Sequence, residues 1–298
     1  MTKQSTIRDI LQKTESYLRD KNVDSPRLSA QLILAAGLEL DRMGLFLNLD
    51  RPLKPDELDV VRPLVARRGR GEPVAYITGS REFFSLDFAV TPDVLIPRPE
   101  TELIVEEALR FFGRDTDLRF ADLGTGSGCL AVTLAVHIPA SRGTALDLSP
   151  DALAVARGNA VRHGVLDRLE FVEASFADLP PVSGDYGLIV SNPPYVSEME
   201  YAKLSPEVAA FEPRAALVPG ETSPAGLAGS TGLEAYPAVV AAAQKALAPG
   251  GVLILEIGWK QGEAVKHLLE SSKFAFEGVA VLPDLAGHDR VIIGRKPG

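Results

Sequence analysis

Two short stretches carry residue types and spacings that could do chemistry. The first is Phe120-Ala-Asp122-Leu-Gly124-Thr125-Gly126-Ser127-Gly128, set between a β-prone run and a helix-prone one. Glycines at alternate positions let a backbone turn tightly and approach a ligand closely. N–H groups exposed at a helix start favour anionic groups. The spacing is Gly-x-Gly-x-Gly, not the Gly-x-Gly-x-x-Gly of dinucleotide binders. Asp122 stands two residues ahead of the first glycine, where it could hold the loop backbone or a cationic amino group. Asp147 ends the next predicted strand, 23 residues after Gly124, where a carboxylate can bind both ribose hydroxyls. A ligand with an anionic carboxylate, a cationic ammonium and sulfonium, and a ribose suits this set, which points to S-adenosylmethionine. A nicotinamide dinucleotide or a ligand-free glycine turn is the alternative.

The second stretch is Leu188-Ile-Val-Ser191-Asn192-Pro193-Pro194-Tyr195. Proline has no donor and a fixed φ, so a buried strand stops here with its carbonyls free to accept. Asn192 adds a side-chain carbonyl, and Tyr195 supplies a ring that can stack on a planar group. Two fixed acceptors beside an aromatic face fit a –C–NH2 group, each hydrogen occupying one carbonyl. Such a nitrogen is a poor nucleophile because its lone pair is delocalised. Holding both hydrogens aims it at a sulfonium methyl and stabilises the positive charge that grows on nitrogen during transfer. An ordinary strand-ending turn is the plain alternative.

The elements that must position these residues follow from periodicity. Helical spacing appears in the first 70 residues: Ile7, Ile10, Leu11 and Leu18 behind the capping candidate Ser5, a second helix from Ser25-Pro26, and a third near Pro55 that ends at Arg67, Arg68 and Arg70. Cations there suit a helix C-terminus. Val74–Gly79 and Glu82–Val90 are β-prone with turn residues between, and predict a hairpin or linker. Residues 95–113 return to helical texture. Strands are expected at 119–122, 143–147, 169–172, 185–191, 251–257, 275–281 and 289–294, with helices at 128–137, 150–163, 232–247 and 261–270. Seven strands alternating with helices predict a doubly wound α/β sheet, which binds ligands at the carboxyl ends of its strands. The connection 196–231, rich in Pro, Gly, Ser and Glu, is expected to be a lid or disordered. The expected domains are 1–72 (helical, substrate-docking), 73–97 (hairpin or linker) and 98–298 (catalytic).

Composition narrows the class. The chain has 298 residues, 31 basic and 40 acidic, for a net charge of −9, which disfavours sequence-blind nucleic-acid binding. Residues 1–85 carry net +2 and the remainder net −11. One cysteine, Cys129, excludes an internal disulfide and a multi-Cys zinc site, and four scattered histidines show no metal-ligand spacing. No signal peptide or membrane span is visible, so a cytoplasmic protein is expected.

The glycine loop, Asp147 and Asn192-Pro193-Pro194-Tyr195 resemble those of the class I methyltransferases that modify planar amino groups, which include DNA adenine and protein glutamine enzymes. Three further stretches narrow the resemblance: Gly71-Glu-Pro-Val-Ala-Tyr-Ile-Thr-Gly79 with Arg81-Glu-Phe-Phe84, Leu95-Ile-Pro-Arg-Pro-Glu-Thr-Glu102, and Phe211-Glu-Pro-Arg-Ala-Ala-Leu217. These are similar to the peptide chain release factor glutamine methyltransferases, from the helical N-terminus to Asp289-Arg290-Val291. The resemblance implies a Rossmann-like class I fold with a small N-terminal helical domain and a linking β-hairpin. It implies that Asp122, Gly124, Thr125, Gly126, Ser127, Gly128, Asp147 and Asn192 bind S-adenosylmethionine. It implies that Asn192, Pro193, Pro194 and Tyr195 hold the glutamine of a release factor's Gly-Gly-Gln tip. The products would be N5-methylglutamine and S-adenosylhomocysteine. The helical domain would dock the release factor or act as a structural cap, and the chain is expected to be a monomer.

Two departures stand out. Glu173-Ala174-Ser175-Phe176 places Ala174 and Ser175 where the family shows an acid and a large apolar residue, so Ser175 and Phe176 are the candidates beside the adenine. The segment from Gly220 to Gly232 is longer than the family's usual short turn, and a flexible flap is expected. Of the remaining residues, Glu100 and Thr101 are expected to cap a helix or border the cofactor, and Trp259 to be a packing residue rather than a substrate platform. Glu256 is a partner behind the site without a catalytic role, His288 faces solvent, and Cys129 is buried. Two competing functions use some of the same motifs: a DNA adenine N6-methyltransferase acting on a flipped base, and a non-catalytic nucleotide-binding module. The net −11 of the catalytic half and the lack of a recognisable target-recognition region weigh against the first, and the second leaves Asn192–Tyr195 unexplained.

Overall fold

The computed structural model describes residues 4–179, 186–220 and 231–298. The chain divides into two compact units: Met1–Ser80 with Ser205–Phe211, and Arg81–Leu204 with Glu212–Gly298.

The first unit is helical, with α1 (Ile7–Asp20), α2 (Pro26–Gly37), α3 (Arg42–Leu47), α4 (Pro55–Gly69) and α5 (Val74–Thr78). Ile7, Leu34, Leu45, Leu53 and Val61 form its buried core. The α1 cap is Thr6, not Ser5. Asp9 lies three residues beyond Thr6 and completes a capping box, the Asp9 N–H donating to the Thr6 hydroxyl and the Thr6 N–H to the Asp9 carboxylate. Ser5 has Arg8 at the equivalent spacing and cannot close one. Val74–Thr78 is helical where β structure was expected. Pro73 starts the turn, the Thr78 hydroxyl donates back to the Val74 carbonyl at 3.0 Å, and Gly79 ends it at φ +71°. The arginines ending α4 do more than complement a dipole. Arg67 pairs with Glu72, while buried Arg68 donates to the Glu72 carbonyl at 2.9 Å and pairs with Glu207 at 2.9 Å.

In the second unit, β1 (Ser80–Phe83) and β2 (Leu86–Ala89) form a hairpin. Its turn residues Phe84 and Ser85 adopt φ +50° and +60° without glycine. The Phe84 N–H donates to the Glu102 carboxylate at 2.9 Å, which helps hold this strained turn. Next come α6 (Glu102–Phe111), β3 (Arg119–Leu123), α7 (Cys129–His137), β4 (Arg142–Asp147), α8 (Pro150–Arg162), β5 (Leu169–Glu173) and β6 (Tyr186–Ser191). The chain continues through α9 (Glu198–Tyr201), then α10 (Pro206–Phe211), which belongs to the first unit, and then α11 (Tyr236–Ala246), β7 (Leu247–Glu256), α12 (Gly262–Glu270), β8 (Glu277–Pro283) and β9 (Asp289–Arg295) of the second. The seven strands lie in the order β5-β4-β3-β6-β7-β9-β8. The first five run parallel, and β9 runs antiparallel to both neighbours. Both faces are covered, as a parallel sheet requires. Ile104, Leu134 and Ala156 pack on one face, and Val240, Val265 and Leu269 on the other.

Seven strands and the doubly wound class agree with the periodicity. The helix expected over 95–113 is shorter, beginning at Glu102 after a 3-10 turn at Pro99–Thr101, because closely spaced prolines at 97 and 99 disfavour α conformation before them. The connection 196–231 contains α9, α10 and a 3-10 turn at Arg214–Ala216. Most of the expected flap, residues 221–230, lies outside the described residues.

Candidate active site

The order of the sheet reverses between β3 and β6, which is where open α/β sheets bind ligands. Leu123, the last residue of β3, is the register partner of Leu146 on one side and Ser191 on the other. The carboxyl ends of β4, β3 and β6 therefore lie abreast. This brings together Asp147, the Asp122–Gly128 loop and Asn192–Tyr195.

The loop is built by its glycines. Gly124, Gly126 and Gly128 adopt φ +77°, +54° and +79°, a region L side chains rarely enter. A Cβ on Gly128 would lie 3.0 Å from the Ala156 Cβ on α8, so this glycine also permits close helix packing. Around Gly126 a Cβ would meet nothing within 4 Å, so that glycine borders open space. The Gly124 and Thr125 N–H groups both donate to the Leu146 carbonyl, at 2.8 and 2.9 Å. The Gly126 N–H donates to Asp147 Oδ2 at 2.8 Å, and the Ser149 N–H to Oδ1 at 3.0 Å. Asp147 thus already braces the loop, and a carboxylate keeps further lone pairs for other donors. From α8, buried Asn159 donates to the Ser127 carbonyl at 2.8 Å and exchanges two hydrogen bonds with the Ala89 backbone.

Asp122 is fully buried beneath this loop. Its Oδ2 accepts from the Thr125 hydroxyl at 2.6 Å and the Ala131 N–H at 3.2 Å, while its buried Oδ1 has no partner among the described residues. Burial pushes its pKa up to about 7, the two hydrogen bonds oppose that, and the nearby Asp147 charge adds to it. A buried, half-satisfied carboxyl is costly and suits a site that receives a cation. At the β5 end, the Phe176 ring stands over Gly124, where an added Cβ would come within 3.3 Å of it. The Ser175 hydroxyl instead turns away to Asp178 at 2.6 Å, in the 3-10 turn that follows.

The Asn-Pro-Pro-Tyr turn is held from behind. Asn192 Nδ2 donates to the Thr101 hydroxyl oxygen at 3.2 Å. Thr101 donates to Glu256 Oε2 at 2.6 Å, and the Tyr195 hydroxyl donates to Oε1 at 2.9 Å. Gln261 Nε2 donates to the Tyr195 carbonyl at 3.0 Å, while Gln261 Oε1 accepts from Tyr236 at 2.8 Å. Burial raises the Tyr195 pKa far above its ordinary range, so its hydroxyl stays protonated as a donor.

Several sequence expectations change here. Thr101 occupies the α6 N-cap position but makes no side-chain cap bond, because its hydroxyl serves Glu256. Trp259 is 51% exposed, meets His288 edge to face at 5.5 Å and lies 4.3 Å from the Lys260 ammonium, so it packs at the surface. Its position just past the end of β7 leaves no layer to cover it. His288 is exposed, as expected. Cys129 is only partly buried as a residue, yet burial pushes its thiol up to about 12, which makes it a poor nucleophile. Glu212 clasps two of the stretches quoted above: its buried carboxylate accepts the Ile96 N–H at 3.1 Å and Arg98 at 2.6 Å. Glu212 lies in one of those stretches, whereas Asn159 and Gln261 carry no local sequence signal. Glu256 did carry one, as an acid at the carboxyl end of a central strand.

Comparison with known proteins bears on the family and the fold. A family model described as PrmC N-terminal domain matches residues 9–79, and one described as Methyltransferase domain matches residues 120–211. A release factor glutamine methyltransferase of Nitratidesulfovibrio vulgaris is 46% identical over 295 residues, covering 99% of this chain and 97% of that protein. One of Geobacter sulfurreducens is 44% identical, covering 97% and 96%. Among solved structures, a methyltransferase from Pyrococcus furiosus shares the fold at 20% identity and a TM-score of 0.51, covering 78% of this chain and 98% of that one. At that identity over essentially its whole length, the chain belongs to the release factor glutamine methyltransferase family.

Proposed function

We propose that this protein transfers the methyl group of S-adenosylmethionine to the side-chain amide nitrogen, N5, of the glutamine in the Gly-Gly-Gln motif of class 1 peptide chain release factors. The observation that carries this reading is the Asn192–Tyr195 turn beside the glycine loop, its side chains locked by Thr101 and Glu256. The residues fit the cofactor. Gly126 borders open space, Asp122 keeps a buried oxygen without a partner, and Asp147 ends the neighbouring strand. In this reading Gly124–Gly128 receive the carboxylate end, Asp122 the ammonium, Asp147 the ribose hydroxyls and Phe176 the adenine side. Ser175 contributes through its turn alone.

When bound, the cofactor supplies an electrophilic methyl on a sulfonium. Everything else is done by the chain. The Asn192 side-chain carbonyl and the turn's backbone carbonyl accept the two amide hydrogens, and Tyr195 covers the plane of the group. The nitrogen lone pair would thereby be directed at the methyl that the cofactor supplies. The methyl would pass to that nitrogen, the electron pair of its former bond leaving with the sulfur of the cofactor. The acceptors strengthen as charge grows on nitrogen, which is where preorganised dipoles contribute most. A proton then leaves the methylated nitrogen, so no strong base is needed beforehand. The helical unit is proposed to dock the release factor, with the chain acting as a cytoplasmic monomer. Among the described residues no helix is long and apolar enough to cross a membrane.

Labelled S-adenosylmethionine offered with release factor or DNA, followed by mass-spectrometric mapping, tests the assignment. Label on the Gly-Gly-Gln glutamine is expected. Label on DNA, or on any other release factor residue, contradicts it.

A further inference from the structure

Glu256 has no counterpart among the residues that hold ligand in the reading above, yet the hydrogen bonds of the turn end on it. It is 1% exposed. Its Oε1 accepts from Tyr195 at 2.9 Å, its Oε2 from Thr101 at 2.6 Å, and Thr101 in turn accepts from Asn192 at 3.2 Å. A hydroxyl has one proton and an amide presents two chemically different ends. With its proton given to the carboxylate, Thr101 offers Asn192 only lone pairs. Asn192 must then turn its N–H toward Thr101, and its Oδ1 points the other way.

We infer that Glu256 is a positioning residue: as an anion it sets the direction of the Asn192–Thr101 hydrogen bonds, so that Asn192 presents a carbonyl rather than an N–H to the substrate amide. This rests on the glutamine reading above. A substrate –NH2 has only hydrogens to offer in its plane, and an Asn192 turned over would set donor against donor. The same carboxylate fixes the Tyr195 hydroxyl, so one charge orients both side chains that bracket the Pro-Pro step.

The inference has a pH consequence. The groups facing Glu256 are Glu100 and Thr101 ahead of α6, the Cys129 thiol at the start of α7, Tyr195 after β6, and Arg290 on β9; the Tyr236 hydroxyl lies 3.5 Å from its backbone carbonyl. Burial raises the Glu256 pKa, while Thr101, Tyr195 and Arg290 lower it and Glu100 adds to the rise. Protonation makes the carboxyl a donor to Thr101, which frees the Thr101 proton to point at Asn192 and reverses the amide. Transfer should therefore fall on the acid side, at a higher pH than an exposed glutamate would impose.

The test uses the full chain with a Gly-Gly-Gln release factor at saturating S-adenosylmethionine, across about pH 5 to 9. Glu256→Gln and Thr101→Val should lower kcat about tenfold to a hundredfold, with adenosylhomocysteine affinity unchanged. Thr101→Ser, which keeps the hydroxyl, should retain most of the rate. The acid limb of the wild-type profile should be missing from Glu256→Gln. Wild-type kcat in Glu256→Gln and Thr101→Val, or a Thr101→Ser variant as impaired as Thr101→Val, overturns the inference. If Glu256→Gln does not fold, the wild-type acid limb and the two Thr101 variants decide. A wild-type enzyme that leaves the glutamine unmodified overturns this inference together with the glutamine reading, whereas glutamine methylation without these variant effects overturns it alone.

Discussion

Ser191 and Leu123 are register partners on the parallel strands β6 and β3, and the Ser191 hydroxyl donates to the Leu123 carbonyl at 2.6 Å. Both residues are fully buried. Each immediately precedes one of the two motifs, Leu123 the glycine loop and Ser191 the Asn-Pro-Pro-Tyr turn. The bond therefore spans the point where the sheet order reverses, and sets the spacing between the two stretches proposed to hold cofactor and substrate.

Replacing Ser191 by alanine removes that bond and leaves the side-chain contribution to the Leu123 carbonyl unmade in a buried place. The expected loss of stability is about 1–3 kcal/mol, read by denaturant unfolding. A variant as stable as the wild type would show that the hydroxyl contributes nothing to the junction.

Gly232 abuts the turn from the far end of the 196–231 connection. It adopts φ +79°, and a Cβ there would lie 2.2 Å from the Tyr195 carbonyl oxygen. Gly232→Ala should push the Tyr195 peptide out of place and break the Gln261 bond to it. Turnover should fall at least about tenfold, since small misplacements near reacting groups are costly, while adenosylhomocysteine affinity is kept. Steady-state kinetics beside a binding titration separate the two. Equal losses of binding and turnover would mean that the damage is general.

If Asp122 receives the cofactor's ammonium as proposed, it links cofactor binding to pH. With a pKa of about 7, raised chiefly by burial, it is largely protonated below that value in the free protein. An ammonium beside its unpartnered oxygen favours the ionised form, so binding below pH 7 must release a proton. Affinity for S-adenosylmethionine should rise with pH up to about 7 and level off above it. Calorimetry in buffers of different ionisation enthalpy reads the released proton directly. Asp122→Asn should abolish the release, and a wild-type enzyme binding without proton exchange at pH 6 to 7 would remove the ammonium from this carboxylate.

The sheet was legible because most of its strands are apolar or alternating runs bounded by turn residues, and the two motifs because their chemistry lies within nine residues of chain or fewer. The support behind them was not. Thr101 and Tyr195 reach Glu256 across 155 and 61 residues, so no local window contains the network. Thr101 looked like a helix cap since it stands where a cap would, and only the sheet topology turns its hydroxyl to β7 instead. Trp259 reads as a packing residue from its place after a strand, and it packs on His288 and Lys260 while staying half exposed, because residues past a strand end need not be covered. Val74–Ile77 has β-prone composition, and Pro73 with Gly79 overrode it by punctuating a single helical turn.

The central claim is that Asn192 holds the substrate amide, and Asn192→Ala tests it most directly. Rates of glutamine methylation and S-adenosylmethionine affinity should be measured side by side on the same preparation. The account predicts that transfer is abolished while much of the cofactor affinity survives. Turnover unchanged from the wild type would contradict it.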